Sequence, residues 1–313
     1  MPDFKKLVVD VFAPKPGERV TILTDGQPGQ KELIREFVSA FKEQGFPPRM
    51  VTYPPTGGHS AALPKTGESD GNAIDLEKFI KGLGKNDIVL AITKYSASGT
   101  FFSRLSQGFR CATMPSAFLG MKAFHADYQL VAKKSYVLRD LLNRAEMARI
   151  EFSTGHKLTV DLRVHRAKAD DGMCREPGRG INLPSGEAYI VPFEGKGSRT
   201  EGELPVGDKV YQVKENKITS FRDRAKANIA ELGLGCNDKA GIIGNILQDE
   251  KAEGVHIAYG MSSHLGGKVT AKMFKGKAVH QDIVYAPGCP IHAKRLVLDE
   301  EVIIRDGKYT VFR

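Results

Sequence analysis

The stretch from Arg19 to Tyr53 constrains the fold more than any other part of the chain. Arg19-Val20-Thr21-Ile22-Leu23 is a β-branched run that reads as a strand. Gln30 to Gln44 then repeats Leu33, Ile34, Phe37, Val38 and Phe41 at helical spacing, and Met50-Val51-Thr52-Tyr53 reads as a second strand. Strand, helix and strand in that order make a β-α-β unit. Its strands must run parallel, because the helix carries the chain back to the end of the sheet where it started. Asp75 caps a short helix predicted through Leu83, and Asp87-Ile88-Val89-Leu90-Ala91-Ile92 reads as a third, buried strand. Residues 54–73 are rich in Gly, Pro, Ser and Thr and read as a loop, and Phe124 to Met147 reads as a long helix that closes the domain.

After about residue 148 the pattern changes to strands and hairpins. Lys157-Leu158-Thr159-Val160-Asp161-Leu162 alternates polar and apolar residues. Val210–Val213 and Lys217–Phe221 flank a turn at Glu215-Asn216, and Val302–Arg305 and Tyr309–Phe312 flank Asp306-Gly307, a strong hairpin dipeptide. The expected fold class is therefore α/β. Residues 1–148 form a three-layer N-terminal α/β domain with a parallel sheet, and residues 149–313 form a β-rich α+β domain. A length of 313 residues suits two domains.

Composition excludes several classes of protein. A hydrophobic content of 41% is too high for a disordered chain. No window approaches the ~18 apolar residues of a membrane span. The N-terminus lacks the apolar core of a secretory signal, so a cytoplasmic location is expected. The formal charge of +9 is dispersed: residues 1–150 hold 21 basic and 15 acidic side chains, and the remainder hold 25 and 22. Such a distribution reads as a solvated surface and makes nucleic acid an unlikely partner. Cys111, Cys174, Cys236 and Cys289 are far apart, with no C-x-x-C pair, so neither a zinc ribbon nor a disulfide framework is expected.

Four segments of the second half carry ligand-type side chains. Leu183-Pro184-Ser185-Gly186-Glu187 delivers a carboxylate to the start of a strand. Residues 222–232 read as a helix ended by Gly233 and Gly235, with Glu231 in its last turn, where the helix dipole favours cations instead. In Gly254-Val255-His256-Ile257-Ala258-Tyr259-Gly260, alternation puts His256 and Ala258 opposite Val255, Ile257 and Tyr259. His280-Gln281-Asp282, if extended, projects an imidazole and a carboxylate from one face, roughly 6–7 Å apart at their bases. Each segment alone also fits an ordinary structural role, such as an exposed carboxylate, a buried hydrogen-bonded histidine or a surface ion pair. Together they supply three carboxylates and two imidazoles, a donor set that zinc, cobalt or manganese accepts without a thiolate. Two closely spaced divalent ions sharing these ligands would polarise a carbonyl and acidify a bridging water, which is hydrolytic chemistry.

These segments resemble the metal-binding domain of the thermophilic-type metallo-aminopeptidases, the aminopeptidase S, T and II group. That family has an L-P-x-G-E turn, a Glu before a Gly-rich turn, a G-x-x-H-I-A-x-G stretch and a late H-x-D. Here these align with Leu183–Glu187, Glu231–Gly235, the stretch around His256 and His280–Asp282, although Gly254 lies one residue closer to His256 than in the family. The resemblance covers roughly residues 180–285. It implies that Glu187, Glu231, His256, His280 and Asp282 hold a pair of divalent ions in a homodimeric enzyme acting on a peptide or other small substrate. Glu231 would double as proton acceptor. The family's Tyr after the strand His has no counterpart in Met261-Ser262-Ser263-His264, and His264 is the candidate for proton transfer there. A divergent branch of the same fold, a ring-cleaving dihydroxypyridine dioxygenase with one ferrous ion, would use His256, His280 and Asp282 as a two-His-one-carboxylate set. That branch lacks the two extra glutamates, so Glu187 and Glu231 favour the hydrolase. A third alternative is a non-catalytic binding protein that uses the metal for structure.

Overall fold

A computed structural model describes residues 2–58 and 61–312 of the chain. The chain forms two compact units, one made of residues 1–129 with 172–185, the other of residues 130–171 with 186–313.

The first unit is built on a seven-stranded sheet. Its strands lie in the order Gly180–Asn182, Arg110–Pro115, Asp87–Thr93, Arg19–Thr24, Arg49–Thr52, Thr66–Ser69, Asn72–Asp75. The first five run parallel to their neighbours, and the last two add an antiparallel edge. Strand Asp87–Thr93 is buried at every position, as its unbroken apolar run requires in a sheet covered on both faces. Leu23, Val51, Val89, Ala91 and Cys111 pack against Leu76 and Ile80 of helix Leu76–Lys81 and Phe101 of helix Ser98–Phe102. Separate aromatic contacts join Phe4, Phe37 and Phe124, with Phe4 meeting Phe37 edge to face at 5.0 Å, and pair Phe12 with Phe41. The helix predicted from Gln30 is Lys31–Glu43, and Asp75 caps its helix by accepting from the Lys78 backbone N–H.

Residues 54–73, read as a loop, instead contain a hairpin, Thr66–Ser69 with Asn72–Asp75. Asp70 and Gly71 both take positive φ at its tip, the two-residue turn that Asp-Gly favours. Residues 59 and 60 of that stretch lie outside the described residues. The long helix expected over 124–147 is Tyr128–Arg144, and Met147 already begins a strand.

The second unit is β-rich. An eight-stranded antiparallel sheet runs Lys217–Ile218, Lys209–Lys214, Glu201–Val206, Lys157–Asp161, Met147–Phe152, Ala293–Leu298, Glu301–Arg305, Lys308–Tyr309. A five-stranded antiparallel sheet runs His280–Tyr285, Gly254–Gly260, Ile229–Gly235, Glu187–Ile190, Lys168–Asp170. One core joins them: Ile150, Leu158, Val160 and Leu296 from the larger sheet, Ala188, Ile190, Leu232, Leu234, Val255, Ile257 and Tyr285 from the smaller, and Leu138, Leu141 and Leu142 from the helix. Each fully buried Leu or Ile there contributes about 1.5–3 kcal/mol.

Residues 222–232 are not a helix. Asp223 accepts from the backbone N–H groups of Ala225, Lys226 and Lys275, which closes the chain into a turn. The chain then enters strand Ile229–Gly235, where Leu232 and Leu234 face the core. The short period of that strand and the fragment of helical period that precedes it overlap in sequence, and the turn decides between them. Among the described residues no helix is long and apolar enough to cross a membrane.

Candidate metal centre

The five-stranded sheet has two chemically different faces. One faces the core. On the other, every strand places ligand-type side chains. Antiparallel register aligns them, since directly paired residues share a face. Asp282 pairs with Ala258, and Ala258 with Glu231, so a methyl group separates two carboxylates in one row. The next row holds His256 beside Gly233, and a third holds Glu187 between Gly235 and Asp170. A bulge between Ile229 and Glu231 sets the register that brings Glu231 opposite Ala258.

The two glycines of strand Ile229–Gly235 are what allow this packing. A Cβ on Gly233 would lie 1.9 Å from His256 Nε2, and one on Gly235 would lie 2.0 Å from the Ala252 carbonyl oxygen. The His256 imidazole therefore lies across bare backbone. In sequence these glycines read as a helix terminus.

The side chains converge closely. His256 Nε2 is 3.3 Å from Glu187 Oε2 and 3.5 Å from Glu231 Oε1. His280 Nε2 is 3.1 Å from Glu231 Oε2 and 3.3 Å from Asp282 Oδ1. Two groups can each hold an ion, Glu187 with Glu231 and His256, and Glu231 with His280 and Asp282; within each group the donor atoms lie within 4.8 Å of one another. Glu231 belongs to both. Glu187 (6% exposed), Glu231 (5%) and His256 (1%) are buried, while His280 and Asp282 are half-buried, so the centre opens at the His280 end.

The residues fit a divalent cation. His280 Nδ1 donates to the Met261 carbonyl oxygen at 2.7 Å, which fixes the tautomer that leaves Nε2 as a lone-pair donor facing two carboxylates. Glu187 Oε2 is buried without a hydrogen-bond partner among the described residues. Buried carboxylates this close require positive charge. Burial opposes charging of His256, yet Glu231 and Glu187 more than offset it and push its pKa up to about 9. His280 is likewise held well above the usual imidazole range: burial lowers it, and Asp282 and Glu231 raise it further. Glu231 falls below the usual carboxylate range, because both imidazoles outweigh its burial. A bound divalent ion would replace the imidazole protons as the positive charge.

All six residues singled out in the sequence are thus brought together. His264 lies beside the centre, its ring edge-to-face with His280 at 4.6 Å between centroids. The ring keeps an exposed edge, yet desolvation and then the neighbouring His280 pull its pKa down, which leaves it neutral near pH 7. A buried network holds its loop: Glu194 Oε1 accepts from Asn228 Nδ2 and Ser262 Oγ, and Glu194 Oε2 accepts from the Lys268 backbone N–H, each at 2.5 Å. Glu194, Asp170, Glu250 and Lys251 join the surroundings of the centre only through the fold, and the sequence does not single them out as site residues.

Residues 6–215 match the NicX family, described as 2,5-dihydroxypyridine 5,6-dioxygenase. The chain belongs to the NicX family. The match spans well over half of the chain and ends before Glu231, His256, His280 and Asp282. No curated protein sequence matches the chain. Among solved structures, the chain is similar to a 2,5-dihydroxypyridine dioxygenase from Pseudomonas putida KT2440, with a TM-score of 0.74 and 17% identity over 98% of this chain and 96% of that one. It is also similar to AmpT from Thermus thermophilus, with a TM-score of 0.63 and 15% identity over 98% of each chain. Both are likenesses of fold, and both accord with the α/β architecture.

Membership in the NicX family overturns the expected metallo-aminopeptidase assignment, and the hydrolase, aminopeptidase and metalloprotease readings fall with it. The motifs behind that resemblance lie on the donor-bearing face of one sheet. A shared sheet can carry the same donor positions through different reactions, so they report fold rather than chemistry. Glu187 and Glu231, expected to mark the hydrolase, stand in a chain of the dioxygenase family and do not separate the two. The metal clusters are present, but the pair of hydrolytic ions has no support.

Proposed function

We propose that this chain is a metal-dependent dioxygenase that opens a dihydroxylated nitrogen heteroaromatic ring. The observation that carries this reading is the paired imidazole-carboxylate donor set, His256 and His280 with Asp282 and Glu231, on a chain of the NicX family. Two imidazoles and a carboxylate with open positions are the donor set of non-haem ferrous oxygenases, which makes iron the proposed metal. Ferrous iron would supply the redox step that lets O2 react with an aromatic ring, and both oxygen atoms would end in the ring-opened product.

The protein's own groups define the rest. The buried end of the centre, Glu187 and His256, excludes water. The half-buried end, His280 and Asp282, is where a planar substrate can approach. The neutral His264 imidazole at that end is poised to accept the proton of a ring hydroxyl, which raises the electron density of the ring to be attacked. The Glu194 network holds its loop in reach.

The test is anaerobic loading with ferrous iron followed by oxygen uptake on 2,5-dihydroxypyridine. The reading expects uptake with loss of the aromatic absorbance and a product heavier by one O2. Uptake that is absent from the iron-loaded protein for every dihydroxylated pyridine offered would overturn it.

A further inference from the structure

Tyr189 lies on strand Glu187–Ile190 and belongs to neither group of metal donors. Lys168 pairs with Tyr189, Tyr189 with Gly233 and Gly233 with His256, so all four share one row on the donor-bearing face of the five-stranded sheet. Gly233 has no side chain, so none in that row stands between the Tyr189 phenol and the His256 ring. Burial, and then the charges of Glu187, Asp170 and Glu231, push the Tyr189 pKa up, as expected of a phenol among the carboxylates of the centre.

The loop that carries His264 lies over this row. His264 packs on His280, from the strand at one edge of the sheet, with 4.6 Å between ring centroids. The carbonyl oxygen of the next residue, Leu265, accepts from Lys168 Nζ, from the strand at the other edge, at 2.8 Å. A loop tied to both edge strands on one face passes over the strands between them, and Tyr189 is on one of these. It is half-buried there. An enclosed tyrosine ordinarily gives its O–H to a partner. The Tyr189 hydroxyl has none among the described residues. A phenol titrates near pH 10 even in water, so at neutral pH this one is a hydrogen-bond donor.

We propose that Tyr189 is a specificity-determining residue whose hydroxyl donates to one ring oxygen of the substrate, on the side of the ring away from His264. The inference deepens the proposed function and rests on it for the identity of the ring. A ring with hydroxyls at opposite corners offers one to each group: His264 takes the proton of the first, and Tyr189 holds the oxygen of the second. A ring with a single hydroxyl leaves one of these groups without a partner, and such a site rejects it for that reason.

The test is equilibrium binding by calorimetry to iron-loaded protein kept free of oxygen. The three rings are 2,5-dihydroxypyridine, 2-hydroxypyridine and 3-hydroxypyridine; each of the last two lacks one of the two oxygens. Wild-type protein is expected to bind both more weakly than the dihydroxylated ring. Tyr189→Phe keeps the aromatic ring and loses only the hydroxyl. It should bind the dihydroxylated ring about 2–10-fold more weakly, the scale of one neutral hydrogen bond. The analogue that lacks the oxygen held by Tyr189 should keep its Kd, so the preference over that analogue shrinks while the preference over the other stays. Cobalt(II) affinity should not change, because no ligand is removed. Equal weakening of all three rings, or no change in any, overturns the proposal. A wild-type protein that binds the three rings alike, or none of them, overturns it whether or not the variant folds. Oxygen uptake on the same samples separates this inference from the functional reading. A preference that shrinks against one analogue, in a protein that consumes no oxygen, keeps the role of Tyr189 and rejects the dioxygenase. Oxygen uptake by wild type, with both preferences intact in Tyr189→Phe, does the reverse.

Discussion

Gly233 is the residue on which the centre depends most directly and which contributes no chemistry of its own. Its missing side chain is the space occupied by the His256 ring. Gly233→Ala forces the imidazole away from Glu187 and Glu231. Misplacing a ligand in this way costs about 10–100-fold in metal affinity, to be read by cobalt(II) titration, while far-UV circular dichroism stays unchanged because the core face is untouched. Asp161 illustrates a different dependence on charge. It is fully buried; burial pushes its carboxyl up, but Arg163 and the backbone N–H groups of Arg199 and Arg163 outweigh burial and lower its pKa. A carboxyl whose folded pKa is depressed adds stability above its unfolded pKa and loses it as pH falls through the folded value. Urea midpoints of wild-type protein should therefore drop on going from neutral pH to below the unfolded Asp value of 3.8. Asp161→Asn should be less stable at neutral pH, and the gap between the two proteins should narrow as pH falls.

At the scale of elements, the loop that carries His264 and the sheet that carries the ligands make separable contributions. His264→Gln leaves every ligand in place and removes the proton acceptor. It should lower kcat by about 10²–10⁴-fold with full metal content, measured by oxygen uptake beside metal analysis. The parallel sheet of the first unit was legible because strand Arg19–Thr24, helix Lys31–Glu43 and strand Arg49–Thr52 each carry one clear period. The pairing of His280 with Asp282 was legible because alternation alone fixes a shared face. Strand Ile229–Gly235 was not, because its glycines carry the usual sign of a helix end and its need for them arises only when His256 packs across it. Lys251 was not legible either. Nothing local distinguishes it from a surface lysine, and besides its neighbour Glu250 its carboxylate partners, Asp170 and Glu187, come from two distant places in the chain.

At the scale of the whole molecule, every candidate ligand belongs to one unit, so an ion stabilises that unit selectively. Binding at about 100 times Kd adds about 2.7 kcal/mol. Chelation should speed hydrogen exchange in strands Glu187–Ile190, Ile229–Gly235, Gly254–Gly260 and His280–Tyr285, and leave strand Arg19–Thr24 unchanged. The order of the units along the chain has a separate consequence. Strand Gly180–Asn182 completes the first unit's sheet against Arg110–Pro115, and Arg110 donates to the Cys174 carbonyl oxygen at 2.6 Å. The polypeptide must therefore begin its second unit before it can finish its first. During synthesis the amino-terminal sheet leaves the ribosome with an open edge, and it waits for residues that follow some forty positions of another unit. Stalled nascent chains should stay protease-sensitive around Arg110–Pro115 until residue 185 has emerged, so the usual first-made, first-folded order of translation does not apply to this protein.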